Sequence, residues 1–327
     1  MTRRVIFVCA AGPSIGGGHV MRSLTLARAL AARGAACAFL APPEVAGVLD
    51  AFGPDMARTD TTEPFDAVVF DNYALSADDH LAIAKGRPTL VIDDLADRPL
   101  AADLVLDAGP ARRPEDYAGL VPAHARLLLG PNHAPVRPAF VALREAALAR
   151  RAKRGPVGRI LVSLGMTDVG GITGRVVALL APMLGDITLD LVVGSAAPSL
   201  SALRSLAAED PRLVLHVDAQ DMPHRVLEAD LAIGAGGSTT WERCVLALPA
   251  LTLILTDNQI AAARALEAAG VTPCLDVNAA DFETAFVALA QSLITDANRR
   301  ATLSASSATV CDGRGADRVA EAFWGLI

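Results

Sequence analysis

Residues 5–22 read VIFVCAAGPSIGGGHVMR, and this stretch decides the fold. An unbroken apolar run, Val5 to Ala10, leads into a glycine-rich turn and then into residues that open a helix. A continuous run, unlike an alternating one, suits a strand covered on both faces. Gly16, Gly17 and Gly18 let the backbone approach a phosphate closely, and the N-terminus of the helix that follows offers unpaired N–H groups to an anion. His19, in the first turn of that helix, is a titratable group the fold does not need. The positive end of a helix opposes protonation, so this position favours the neutral imidazole that a general base requires. The stretch is not a Walker A loop, because no Gly-Lys-Ser/Thr follows. Nor is it a dinucleotide fingerprint, because Met21 stands where the third glycine belongs. Read alone, the glycines fit a plain strand-to-helix turn equally well, with His19 merely exposed.

The same grammar runs outward along the chain. Val5–Ala10, Ala36–Leu40, Ala67–Phe70, Thr89–Ile92, Leu104–Leu106 and Leu127–Leu129 read as buried strands. Helices over Val20–Arg33 and Ser76–Lys85 fall between them, and Gly34 is a natural stop for the first. Pro135, Pro138 and the segment RRAKRGPVG over 150–158 interrupt the pattern. It restarts with Ile160–Leu164, Leu189–Val193, Leu213–Val217, Leu231–Gly234 and Leu251–Leu255. The expected class is α/β, as two successive Rossmann-like domains with mostly parallel sheets. Residues 1–138 form the first domain, 139–158 a linker and 159–327 the second, whose last helix is expected to pack back on the first.

Composition narrows the function. The chain has 327 residues, enough for two domains, and is 52% hydrophobic, enough for substantial cores. A net charge of −7 and 4% aromatics argue against a nucleic-acid partner, which needs a basic surface and stacking platforms. The basic stretch Arg144–Arg154 reads as linker or exposed helix face. Cys9, Cys37, Cys244, Cys274 and Cys311 are scattered without a C-x-x-C pair, so neither a disulfide framework nor a zinc site is expected. No apolar stretch reaches transmembrane length without turn residues, and the first run is too short for a signal peptide. A cytoplasmic protein without stable membrane association is expected.

Polar residues cluster just after the apolar runs: Gly16–His19, Asp71-Asn72-Tyr73, Asp93-Asp94, Gly130–His133, Gly165–Asp168, Gly234–Thr240 and Asp257-Asn258-Gln259. Ligands of parallel sheets bind beyond the carboxyl ends of the strands. Loops from both halves imply one ligand in a cleft between the domains. Asp93-Asp94 could attract Mg²⁺, but strand-end aspartates more often cap loops and bind sugar hydroxyls. His80, His124, His216 and His224 show no ligand spacing, and no H-E-x-x-H or G-x-S-x-G occurs. Neither a metal nor a cofactor is expected. In the second half, Gly236-Gly237-Ser238-Thr239 followed by Glu242 reads as a capping box, with Ser238 or Thr239 as cap. It reads equally as a second diphosphate-binding helix N-terminus, with Glu242 accepting two ribose hydroxyls.

Together these motifs resemble one family. Ile15–Arg22 is similar to its I-G-x-G-H-x-x-R signature, Asp71-Asn72-Tyr73 to its D-x-Y loop, and Asp93-Asp94 to its paired aspartates. Gly165-Met166-Thr167-Asp168 is similar to its G-G-T/S-D turn. Gly236–Glu242, Asn258-Gln259 and Asp312-Gly313-Arg314-Gly315 are similar to its second-domain and C-terminal motifs. The family is the UDP-sugar hydrolases of pseudaminic acid biosynthesis (PseG), relatives of the MurG-like GT-B glycosyltransferases. The resemblance runs from about residue 4 to the C-terminus. It implies a GT-B-like fold and hydrolysis of UDP-2,4-diacetamido-2,4,6-trideoxy-β-L-altropyranose to UDP and the free sugar, with inversion and no metal. His19 would be the catalytic base, with Tyr73 and Asn258 placing sugar or water. Gly16, Gly17, Gly18, Arg22, Asp71, Asn72, Asp94, His133 and Arg137 would meet substrate from the first domain. Gly165, Thr167, Asp168, Gly236, Gly237, Ser238, Thr239, Glu242 and Gln259 would do so from the second. The chain departs from the family pattern at Val8, Ala10, His133 and Met166, all around the expected sugar pocket. Two other functions fit the same residues: a GT-B glycosyltransferase with a UDP-sugar donor, and a catalytically silent nucleotide-sugar binding protein.

Overall fold

The computed structural model describes residues 2–13, 15–61 and 64–327; Ser14, inside the glycine-rich turn, lies outside the described residues. The chain divides into two compact units, Met1–Arg137 with Gly313–Ile327, and Pro138–Asp312.

The first unit runs β1 (Arg4–Cys9), α1 (Gly18–Ala31), β2 (Ala36–Leu40), α2 (Pro43–Phe52), β3 (Ala57–Thr59), β4 (Ala67–Asp71), α3 (Ala77–Ala84), β5 (Thr89–Ile92), β6 (Leu104–Asp107) and β7 (Arg126–Leu129). Its strands form one sheet in the order β3-β2-β1-β4-β5-β6-β7, and every pair is parallel. Side chains alternate across a strand, and β1 uses both sides. Val5, Phe7 and Cys9 join one apolar cluster with Val20, Leu24 and Phe39, while Ile6 and Val8 join another with Phe70 and Tyr117. That double burial is why β1 reads as an unbroken apolar run.

The second unit runs α4 (Pro138–Arg151), β8 (Arg159–Ser163), α5 (Ile172–Leu180), β9 (Thr188–Val193), α6 (Leu200–Glu209), β10 (Leu213–Val217), α7 (Met222–Glu228), β11 (Leu231–Ala235), α8 (Thr239–Val245), β12 (Ala250–Ile254), α9 (Ile260–Ala268), β13 (Cys274–Asp276), α10 (Phe282–Thr295) and α11 (Ala297–Ala308). Its sheet, β10-β9-β8-β11-β12-β13, is again parallel throughout. The final helix, α12 (Gly315–Trp324), belongs to the first unit, where Val319, Ala320 and Phe323 join the cluster of Leu24 and Leu30.

Much of the segment 139–158, expected as linker, is the helix α4. Its basic residues have partners. Arg144 donates to the carbonyls of Val245 and Ala308, both at 2.6 Å, and Arg151 to those of Val226 at 2.7 Å and Ala229 at 2.5 Å. These carbonyls lie at the C-terminal ends of α8, α11 and α7, where the helix dipole favours cations. Among the described residues no helix is long and apolar enough to cross a membrane.

Candidate active site

In the first unit the strand order reverses between β1 and β4, and in the second between β8 and β11. At such a switch point the connections leave to opposite faces and open a crevice beyond the strand ends. The register sets Cys9 of β1 beside Asp71, the last residue of β4. Gly17 caps α1 and Gly16 takes a φ of 77°, so the turn delivers His19 as the second helical residue beside that strand end.

Asp71 is fully buried and is the hub of the first crevice. Its Oδ1 accepts from His19 Nδ1 at 2.5 Å and from Arg22 Nη2 at 2.7 Å; its Oδ2 accepts from Arg22 Nε at 2.7 Å and Ser23 Oγ at 3.2 Å. Arg22 also donates to Asp94 Oδ2 at 2.6 Å and to the Tyr73 hydroxyl at 3.2 Å. The Tyr73 hydroxyl in turn donates to Asp94. The Tyr73 ring meets the His19 ring edge-on, with centroids 4.6 Å apart. His19, Arg22, Ser23, Asp71, Tyr73 and Asp94 therefore form one connected network.

Its electrostatics fix the proton positions. Burial alone would raise the Asp71 carboxyl, but the Arg22 guanidinium and His19 against it hold it well below the ordinary carboxylate range. Asp94 is lowered too, its burial outweighed by Arg22 and the Tyr73 hydroxyl. Burial, with Asp94 and Asp71 nearby, pushes the Tyr73 phenol well above its ordinary value, so it stays a donor. An ionised carboxylate only accepts, so Nδ1 of His19 carries a proton. In the neutral imidazole Nε2 is then the basic atom, and it bonds to none of the described residues. The His19 side chain is buried, 7% exposed, while its Nε2 is not among the buried atoms that lack a partner.

The other first-unit candidates have separate places. Asn72 folds back to accept from the Ala74 N–H at 3.0 Å. Asp93 and Asp94 point to different networks. Asp93 is fully buried and takes Arg98 Nη1 at 2.9 Å, Tyr117 at 2.9 Å and the N–H of Ala96 at 2.8 Å. His133 Nδ1 donates to the Leu129 carbonyl at 2.9 Å, and a Cβ at Gly315 would lie 2.2 Å from the Ala134 carbonyl oxygen, so α12 seats on this loop. Arg137 is half-buried and partnered.

In the second unit the two glycine turns follow β8 and β11, the strands at the switch point. After β8, Gly165 has a φ of 103° and Thr167 is half-buried. Asp168 is occupied internally: it accepts from the Thr173 N–H at 2.9 Å, the Thr173 hydroxyl at 2.6 Å and the Ser199 hydroxyl, fixing the start of α5. After β11, Gly236, Gly237, Ser238 and Thr239 are all partly exposed. Gln259 lies over Gly236, where an added Cβ would come 3.2 Å from its Cβ, and its Oε1 accepts from the Leu255 N–H. Asn258 is exposed and accepts from the Thr256 hydroxyl at 2.6 Å. The capping box expected at Ser238 does not form: Ser238 has helical dihedrals and its side chain makes no cap bond. Glu242 is half-buried on α8 and is partnered.

Sequence reasoning missed Ser23, Arg98, Tyr117 and Arg243, each bonded into a buried polar network. Ser23 lies one helical turn after His19, on the same face, and was open to reading. Among the described residues no three His, Cys, Asp or Glu side chains gather as a metal group, and none of the five cysteines is in a disulfide.

Comparison with known proteins agrees with the fold. The chain is 27% identical over 201 residues to the spore coat polysaccharide biosynthesis protein SpsG of Bacillus subtilis, taking in 61% of this chain and spanning 58% of that relative's length. It is 23% identical over 265 residues to the UDP-2,4-diacetamido-2,4,6-trideoxy-beta-L-altropyranose hydrolase of Campylobacter jejuni, taking in 78% of this chain and 93% of that protein. The second relative carries the activity of the family that the motifs resemble. MurG of Acinetobacter baumannii matches with a TM-score of 0.67 at 18% identity, covering 99% of this chain and all of that one, which makes the fold GT-B-like. No family model matches the chain.

Proposed function

We propose that this chain is a UDP-sugar hydrolase that releases UDP and a free 2,4-diacetamido-2,4,6-trideoxyhexose, with His19 as general base. The observation that carries the reading is the Asp71–His19 pair: a fully buried carboxylate 2.5 Å from Nδ1, leaving Nε2 as the basic atom. In the proposed step Nε2 takes a proton from water as the water oxygen bonds to the anomeric carbon. The bond from that carbon to the phosphate oxygen breaks, and UDP leaves with the electron pair. Asp71 then faces an imidazolium and stabilises it, as carboxylates oriented on histidines do in other hydrolases. Such base assistance contributes about 10²–10⁴ in rate. The Gly236–Thr239 turn would hold the diphosphate, Glu242 the ribose and Asn258 the sugar. The pathway would be pseudaminic acid biosynthesis, as the resemblance of the motifs implies.

The MurG-like fold supports one second reading, a glycosyltransferase in which an acceptor hydroxyl takes the place of water at Nε2. The two separate in one assay, incubation with UDP-2,4-diacetamido-2,4,6-trideoxy-β-L-altropyranose in EDTA without any acceptor. Steady UDP release is the expected result. Binding without release would overturn hydrolysis in favour of transfer or silent binding.

A further inference from the structure

The loop that follows β5, from Asp93 to Arg98, is wrapped around the Asp93 carboxylate. Asp93 is fully buried. Its Oδ2 accepts from the Ala96 N–H at 2.8 Å, the Leu95 N–H at 3.3 Å and the Tyr117 hydroxyl at 2.9 Å, and its Oδ1 accepts from Arg98 Nη1 at 2.9 Å. This wrapping puts Ala96 at a φ of 50°, a left-handed backbone that crowds the Cβ of an L-residue. The loop is also braced from the β6 side: Arg112 donates from Nη2 to the Asp94 carbonyl at 2.7 Å and from Nε to Asp107 at 2.5 Å. Strain of this kind persists only where the surroundings over-determine it, and it collects at functional sites. Two side chains of the loop meet Tyr73. Asp94 accepts from its hydroxyl, and Arg98 lies over its ring, with Cζ 5.6 Å from the centroid.

The donors of Arg98 are unevenly used. Nη1 serves Asp93 and also Asp97, at 3.2 Å. Nε and Nη2 are buried and meet no hydrogen-bond acceptor among the described residues. A counter-ion for Asp93 needs only Nη1, whereas the rest of this guanidinium has the face of Tyr73 beside it. An aromatic face attracts a cation and its N–H groups, most strongly where water is excluded. Tyr73 is therefore held at its hydroxyl by Asp94 and by Arg22, at 3.2 Å, and across its face by Arg98. The ring so held meets His19 edge-on, with centroids 4.6 Å apart. Asp71 fixes a single atom of the imidazole, Nδ1. The ring can still swing about that point, and the Tyr73 ring is the contact that limits the swing and so aims Nε2.

We propose that Arg98 is a positioning residue for His19, acting through the Tyr73 ring; this rests on the reading of His19 as general base. The full chain is compared with Arg98→Gln and Arg98→Lys. UDP release from UDP-2,4-diacetamido-2,4,6-trideoxy-β-L-altropyranose without an acceptor gives kcat, and calorimetry gives UDP affinity. NMR of protein labelled in its tyrosine and histidine rings gives the NOE between Tyr73 and His19. The chain has only two tyrosines, so Tyr117, which shares Asp93, is the reference in the same spectrum. Arg98→Gln should lower kcat by about 3–30-fold, the scale of a cation–π contact, with UDP affinity within twofold of the parent and the Tyr73–His19 NOE weakened. Arg98→Lys keeps a cation without the planar fork and should recover part of both losses. It leaves Asp93 its counter-ion, so it is read by the same criteria if Arg98→Gln does not fold. A kcat within twofold of the parent, UDP affinity falling as far as kcat, an unchanged NOE, or a Tyr117 spectrum altered as much as that of Tyr73 would overturn the role of Arg98 and leave hydrolysis standing. A parent chain that binds the UDP-sugar and releases no UDP would overturn the hydrolase reading; the NOE would then decide by itself whether Arg98 holds the Tyr73 ring against His19.

Discussion

Asp71→Asn is the sharpest perturbation of the His19 network, because the amide fails in either orientation. The carboxylate uses both oxygens twice, Oδ1 for His19 and Arg22 Nη2, Oδ2 for Arg22 Nε and Ser23. An asparagine has one acceptor oxygen and one NH₂ donor. With its oxygen in the Oδ1 position, His19 keeps its bond, but the NH₂ faces the Arg22 Nε–H. With its oxygen in the Oδ2 position, the NH₂ faces Nδ1 and turns it into an acceptor. The proton then moves to Nε2, and the base is lost. Both forms also leave Arg22 with Asp94 as its only anionic partner. Removing one member of a buried charge pair costs about 3–5 kcal/mol in stability. Loss of the basic tautomer in the second orientation, and of the negative charge that stabilises the imidazolium in the first, should lower kcat by about 10²–10⁴, with UDP affinity unchanged. Urea denaturation reads the first effect, and a coupled assay of UDP release reads the second. A folded variant with kcat within tenfold of the parent would refute the orienting role of Asp71.

Three further outcomes follow from the same geometry. His19→Ala should abolish turnover while calorimetry still finds UDP bound; a variant with near-normal kcat would remove His19 as base. Glu242→Ala should weaken UDP by about tenfold or more, the scale of losing a hydrogen bond to a charged group; unchanged affinity would leave Glu242 a structural residue. His80 is fully buried, has no partner for either ring nitrogen among the described residues, and packs tilted against the Phe70 ring with centroids 4.5 Å apart. Burial, helped by Arg98, lowers it from 6.5 to about 4. Below pH 6.5 the unfolded chain takes this proton first, so stability should fall by up to about 3 kcal/mol as pH drops from 6.5 to 4. Urea titrations across that window should find the slope in the parent and not in His80→Phe; equal slopes would contradict the assignment. The depressed carboxyls of Asp71 and Asp94 act in a lower window, stabilising above the ordinary 3.8 and losing that contribution as pH falls below it.

What the sequence disclosed follows burial. Strands covered on both faces, such as β1 and β4, are continuous apolar runs, and these were legible as strands. β3 and β13, three residues each, carry Ala-Arg-Thr and Cys-Leu-Asp, and neither offers a periodic signal. His19, Asp71 and Tyr73 were legible as separate polar residues at strand ends. Their convergence was not, because 52 residues separate His19 from Asp71 and only the adjacency of β1 and β4 joins them. Asp168 was read by motif as a ligand residue, yet its carboxylate fixes the start of α5, a local task the same motif equally serves. Arg243 left a trace, a single charge within Arg-Cys-Val-Leu-Ala-Leu, where the surrounding apolar residues announce burial.

The central claim is that His19 activates water against the anomeric carbon. Its most direct test is turnover of the UDP-sugar in ¹⁸O-labelled water with EDTA, followed by mass spectrometry of both products. The account predicts the label in the free sugar and none in UDP, with His19→Ala giving neither product. Label in UDP would mean attack at phosphorus, and no turnover without an acceptor would mean that water is not the nucleophile; either result would contradict it.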